Sequence, residues 1–310
     1  MRVGPVYLES NFWHKVSTKK DAFAEVCRIL ARNEVHTNIT KEEISNDTSL
    51  FQIWQDSGGR IYPDYYGYDE KRIQDNDLEL CSTFLCDNAE DHVSNYGLLA
   101  IDSEYNSTGD NLFERKDIWI SEDKCFNRMW KDVCPQGVLM NPFSNAMIIN
   151  DKFICKEGRK EGLGDNLKSL LDALLPDHKQ KIPYQLSLFC KIDDKNKGHK
   201  VYRDLEQYIG EIRSDLNVEL SLYTNSNVHD RFVLTNSYII TVDAGFNIFR
   251  NGKVDNGTEL SFYYPVARGN VETYLGKIKQ VYEIHKASGC GEYFRNYWGE
   301  RKNRLFELIK

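Results

Sequence analysis

The chain reads as an α/β protein of two domains, the second built on a mixed sheet flanked by helices. Three observations predict this. In the second half, apolar runs at 146–154, 185–192 and 218–223 alternate with helical periodicity at 165–175 and 200–216, the pattern of strands joined through crossing helices. The 310 residues, 41% of them apolar and 12% aromatic, suffice for two cores and exclude global disorder. Charge also divides unevenly. Residues 1–140 hold 15 Lys and Arg against 25 Asp and Glu, net −10, whereas residues 141–310 hold 25 against 22, net +3. The split favours two domains, with an anionic ligand met by the second; the element pattern reads as a mixed α+β domain of no recognised family over 1–140, followed by a second domain over 141–310.

The elements follow in order. The spacing of Phe23, Val26, Ile29 and Leu30 predicts an amphipathic helix over 20–33, and Ile44, Leu50, Phe51 and Ile53 a second over 41–55, ended by Asp56-Ser57-Gly58-Gly59. Tyr62-Pro63-Asp64-Tyr65-Tyr66-Gly67-Tyr68 reads as a packed aromatic loop, or else a contact surface. Strands are expected over 79–85, 96–101 and 117–121 and a helix over 125–133, and the turn-rich segment 134–145 is the expected boundary.

Beyond it, Leu167, Leu170, Leu171, Leu174 and Leu175 define a helix stopped by Pro176. Val201, Leu205, Tyr208, Ile209, Ile212 and Leu216 share the stripe of the next. Strands are expected at 232–235, 238–242 and 259–264, and a helix at 271–285. The tail 292–310 mixes aromatic and basic residues. It reads as a terminal helix docked on its own domain, with nucleic acid or an anionic membrane as its alternative partner.

The eight cysteines at 27, 81, 86, 125, 134, 155, 190 and 290 form no Cys-x2-Cys pair, so reduced, buried thiols are expected and no cofactor is implied. No stretch is apolar enough to span a bilayer, and the amino terminus lacks a signal-peptide core, which predicts a cytoplasmic protein.

The principal candidate site is His229-Asp230-Arg231, between the loop 223–227 and the strand at 232–235. Histidine can attack phosphorus or move a proton near neutral pH. An arginine two residues on shares its strand face and suits a pair of phosphate oxygens. The bland alternative is structural, with Asp230 and Arg231 paired and His229 capping a strand. If the site binds, Asp230 orients the loop by accepting backbone N–H groups.

His229-x-Arg231-x4-Asn236, followed by Gly245-Phe246-Asn247, resembles the His-x-Lys-x4-Asp motif and Gly-containing turn of the phospholipase D superfamily. It is more similar to the phospholipase D-like carboxy-terminal domain of MIT-domain proteins of cytokinesis, which carries a His-Asp-Arg triplet, a downstream Asn and a Gly-containing strand in that order. The resemblance covers about 145–264 and implies a phospholipase D-like half domain. Its family's Gly-Arg-Gly-Leu-Asp stretch is here Asp243-Ala244-Gly245-Phe246-Asn247, without the arginine.

The resemblance implies an anion-binding or interaction module without turnover. His229, Arg231 and Asn247 would meet a phosphate-containing ligand (acidic lipid, nucleotide or nucleic acid), or the module would meet a protein partner. In the catalytic alternative, a metal-independent phosphodiesterase or nuclease, His229 is the nucleophile, Arg231 holds phosphate, and Asp230 stands in for the acid replaced by Asn236. That reaction takes two histidines, the second most simply from a symmetric partner chain. A leaderless chain with such a site fits a bacterial defence (antiviral) or regulatory system by analogy. A second alternative lies in the first domain, where Asp102 and Glu122-x-Lys124 imitate a metal-dependent nuclease, with acids on neighbouring strand ends holding Mg²⁺ and the lysine orienting water.

Overall fold

The computed structural model describes residues 4–63, 76–77, 79–104, 115–122, 124–133, 143–157, 160–192, 195–224, 230–255, 257–265, 270–288 and 296–310. His229, most of the preceding loop, the aromatic loop past Pro63 and most of the segment 134–145 lie outside these residues.

The chain opens with β1 (Val6–Leu8), α1 (Ser10–Val16), α2 (Lys20–Arg32), β2 (Val35–Thr37), α3 (Lys41–Asn46), α4 (Thr48–Asp56) and β3 (Ile61–Tyr62). A 3-10 turn at Glu79–Cys81, β4 (Thr83–Leu85), α5 (Ala89–Tyr96) and β5 (Leu99–Ile101) follow. The five strands form a sheet in the order β3-β2-β1-β4-β5, all parallel. Val6, Leu8, Val35 and Leu85 share a core with Trp13, Ile29 and Leu30, while Tyr7, Phe84 and Ala100 pack with Tyr96 and Leu98. Both faces are covered, as parallel strands require.

Two expected elements divide differently. The helix expected over 41–55 is two helices, because the Asp47 carboxylate caps the second by accepting the Leu50 N–H (2.9 Å) and also takes the Trp13 indole N–H (2.7 Å). The strand expected over 96–101 starts only at Leu99. Tyr96 closes α5 and Gly97, at φ 58°, is the left-handed residue that ends it.

The second sheet begins with β6 (Lys116–Ile120), followed by α6 (Trp130–Val133), shorter than the helix expected over 125–133. Then come β7 (Ala146–Asn150), a hairpin of β8 (Lys156–Glu157) and β9 (Lys160–Glu161), α7 (Asp165–Leu174), β10 (Tyr184–Phe189), α8 (Lys195–Ile212), β11 (Val218–Tyr223), β12 (Phe232–Thr235) and β13 (Ile239–Val242). A hairpin of β14 (Phe249–Arg250) and β15 (Lys253–Val254), β16 (Thr258–Tyr263), α9 (Val271–Ala287) and β17 (Tyr297–Gly299) complete the elements up to a final 3-10 segment, Arg304–Ile309.

Eight strands pair in the order β17-β11-β10-β7-β12-β13-β16-β6. β7, β10 and β11 are parallel and every other pairing is antiparallel. The carboxyl ends of the parallel strands therefore meet the amino end of β12. The tail is not the expected helix: β17 pairs with β11 and the 3-10 segment buries Leu305 and Phe306.

The sheets separate in sequence between Ile101 and Lys116 rather than within 134–145, because β6 pairs with β16. Two buried asparagines join the halves. The Asn145 amide donates to the Leu80 and Tyr96 carbonyls, both at 2.8 Å. Asn236 accepts the Asn145 N–H (2.8 Å) and donates to the Gly97 carbonyl (2.9 Å).

Candidate functional site

Asp230 and Arg231 immediately precede β12, where strand alternation sends neighbouring side chains to opposite faces. Asp230 shares the face of Phe232 and lies under α9. Lys277 of that helix stands 4.8 Å from the Phe232 ring centroid and 3.5 Å from an Asp230 carboxylate oxygen. The Asp230 carbonyl accepts from the Asn150 side chain at 2.6 Å, tying the triplet to the end of β7.

Arg231 takes the other face. Its Nη1 donates to the Asp243 carbonyl at 2.6 Å, and the side chain lies over Gly245, whose φ is +89°. A Cβ on Gly245 would stand 2.7 Å from both Arg231 Cδ and Asp151 Oδ2. Only glycine lets the guanidinium stem and the carboxylate close over the backbone here.

Asp151, directly after β7, is buried and accepts the Phe246 N–H at 2.6 Å and the Phe153 N–H at 2.8 Å. Burial pushes its carboxyl above the ordinary aspartate range, against those N–H groups and the Arg231 charge, which pull the other way. The Gly245 loop is further fixed by Trp130, whose indole donates to the Phe246 carbonyl (3.0 Å), and by Asn166, which accepts the Phe249 N–H (2.9 Å) and donates to the Phe249 carbonyl (2.8 Å).

Basic residues border the strand ends. The Lys152 and Lys156 ammonium groups stand 5.5 and 6.0 Å from the Phe153 ring centroid, and the Lys191 N–H donates to the Lys152 carbonyl at 3.0 Å. Lys152 and Lys191 follow β7 and β10, and Arg231 and Lys277 stand on opposite faces at the start of β12, so these cations belong to the edge of the sheet formed by the strand carboxyl ends, the side on which open α/β sheets receive ligands. At the end of β11, the Tyr223 hydroxyl lies 2.8 Å from His285 Nδ1.

The remaining sequence candidates divide. Asn236 stands at the far end of β12 from Arg231, and both ends of its amide are committed to backbone between the halves; it fastens the fold. Asn247 donates to the Phe153 carbonyl (3.5 Å) and to that of Lys156, joining two loops. Asp102 follows β5 and accepts the Glu104 N–H (2.9 Å), whereas Glu122 follows β6 in the other sheet and accepts the Gly257 N–H (2.9 Å). The neighbouring strand ends expected for Asp102, Glu122 and Lys124 are therefore not neighbours. Among the described residues no three His, Cys, Asp or Glu side chains are grouped to hold a metal, and no helix is long and apolar enough to cross a membrane.

Asn150, Asp151 and Lys277 join the site without having been singled out in the sequence. For the first two a signal existed, an Asn-Asp pair closing the buried run Ala146-Met147-Ile148-Ile149. For Lys277, one of several cations on an amphipathic helix, there was none.

No family model matches the chain, and no curated protein matches it. Among solved structures it is similar to TrmBL2, an archaeal chromatin protein with a novel mode of DNA binding, at 12% identity and a TM-score of 0.28. That match covers 56% of this chain and 54% of the other.

Proposed function

We propose that the eight-stranded sheet carries a phospholipase D-like anion-binding module, which holds a phosphate-bearing ligand at the start of β12 without turning it over. The observation that carries this reading is the mounting of Arg231. A guanidinium is fixed over Gly245 between the Asp243 carbonyl and the buried Asp151. A preorganised fork of N–H donors of this kind recognises paired anionic oxygens.

Absence of turnover is favoured by Asn236. At the position where the superfamily carries its acid, this chain has an amide already engaged with backbone at the opposite end of the strand, so no carboxylate there supports a histidine at 229. The proposed ligand class is an acidic lipid head group, a nucleotide or a nucleic-acid backbone.

The test combines binding and turnover. Pyrophosphate, single-stranded DNA and phosphatidylcholine vesicles with and without phosphatidylserine are titrated against the wild type and Arg231→Ala, and bis(p-nitrophenyl) phosphate is offered in EDTA. Binding that weakens about tenfold or more in Arg231→Ala, with no hydrolysis, is expected, since a hydrogen bond to a charged group contributes about 1.5–3 kcal/mol. Hydrolysis that resists EDTA and disappears in His229→Ala would replace this reading with a phosphodiesterase. Binding indifferent to Arg231 would remove the site.

A further inference from the structure

We infer that Lys277 is a second anion contact of this site and that Asp230 is the counter-ion it gives up when the ligand arrives. The inference rests on the anion-site reading above and adds a residue, a helix and an exchange step to it. Lys277 projects from α9 with only 17% of its side chain exposed and its ammonium against the Phe232 ring. A lysine whose stem is packed away to this extent is best held where its ammonium meets an anion. It meets Asp230 at 3.5 Å, a carboxylate whose side chain is 56% exposed. That separation is well beyond the roughly 2.7–2.9 Å of a close charge-assisted hydrogen bond, so the pair is loose.

The backbone beneath is held: the Asp230 carbonyl is pinned by Asn150 at 2.6 Å. The carboxylate can therefore swing out toward solvent while the strand start stays in place. Lys277 then offers three N–H donors to an incoming phosphate oxygen.

The two cations straddle the strand start, Lys277 on the α9 face with Asp230 and Phe232, and Arg231 on the face of Gly245. A ligand engaging both passes over the start of β12 and presents more than one anionic group. Pyrophosphate, with two linked phosphoryl groups, is the probe.

The experiment is calorimetric titration of the full chain with pyrophosphate for the wild type, Arg231→Ala, Lys277→Met, Asp230→Asn and the Lys277→Met/Asp230→Asn double variant. Methionine keeps an unbranched stem against Phe232 and deletes the charge. Lys277→Met is expected to weaken binding about tenfold. Asp230→Asn is expected to tighten it about two- to fivefold, the range an exposed ion pair supplies. That gain is expected to vanish in the double variant, because it acts through Lys277.

Unchanged affinity in Lys277→Met, with binding still lost in Arg231→Ala, overturns this inference and leaves the anion-site reading standing. A gain from Asp230→Asn that persists without Lys277 overturns the exchange, since Asp230 would then act through its own charge alone. No pyrophosphate binding by the wild type overturns this inference, and the lipid and DNA titrations then decide the reading beneath it. Should Lys277→Met fail to fold, Asp230→Asn decides: tighter binding supports the exchange, and unchanged or weaker binding overturns it.

Discussion

Gly245 is the residue on which the arginine's position depends. Its φ of +89° belongs to the region side chains avoid, and an added methyl would lie 2.7 Å from Arg231 Cδ and Asp151 Oδ2. Gly245→Ala is expected to destabilise the protein by about 1–3 kcal/mol in urea denaturation. It should also weaken anion binding by moving the guanidinium, whereas Gly210→Ala, where nothing lies within 4 Å of the added carbon, should leave binding unchanged. At this scale the sequence exposes only what is periodic. Arg231 was legible as the residue two after a histidine at a strand entrance. Asp151 was legible only as half of an Asn-Asp pair closing a buried run; its role was not, because that comes from a turn that brings it under a loop some ninety residues later.

Among the elements, β12 has different chemistry at its two ends. Arg231 opens it at the candidate site, while Asn236 closes it between the halves, with its amide on the Asn145 N–H and the Gly97 carbonyl. Asn236→Ala leaves both groups unpaired in a buried setting, at a cost of roughly 2–4 kcal/mol. Chemical denaturation should show that loss with pyrophosphate affinity unchanged; a loss of affinity at intact stability would return Asn236 to the ligand site. The strands and helices of the second half were largely legible, because buried runs and helical stripes alternate there. In the first half, caps decided the boundaries. Asp47 turns one apparent helix into two by accepting the Leu50 N–H, and Gly97 converts the front of an apparent strand into a helix end. Composition alone hides both events, since apolar residues continue on either side of each.

Across the whole molecule, two histidines couple the fold to pH. His92 in the first half and His285 in the second are each pushed down to about 4, chiefly by burial; at His285 the charges of Arg301, Lys310 and Lys286 add to it. Their neutral forms are favoured in the fold, so their contribution is present above the ordinary histidine value near 6.5 and is lost as pH falls from there to about 4. Urea midpoints measured across that window should fall, and a His92→Gln/His285→Gln variant should flatten the decline. An equal decline in that variant would assign the acid sensitivity to carboxylates instead.

At this scale too the sequence misled most about where the halves divide, because pairing across a sheet leaves no local trace: nothing in Lys116-Asp117-Ile118-Trp119-Ile120 announces β16, some 140 residues away, as its neighbour. The pairing has a consequence for any dissection of the molecule. A fragment cut at residue 141 would strip β6 from the sheet and bare the outer edge of β16, whose Leu260 and Phe262 are buried in the intact chain. Uncovered strand edges recruit other strands, so that fragment is expected to self-associate in light scattering, while one beginning ahead of Arg115 stays dispersed.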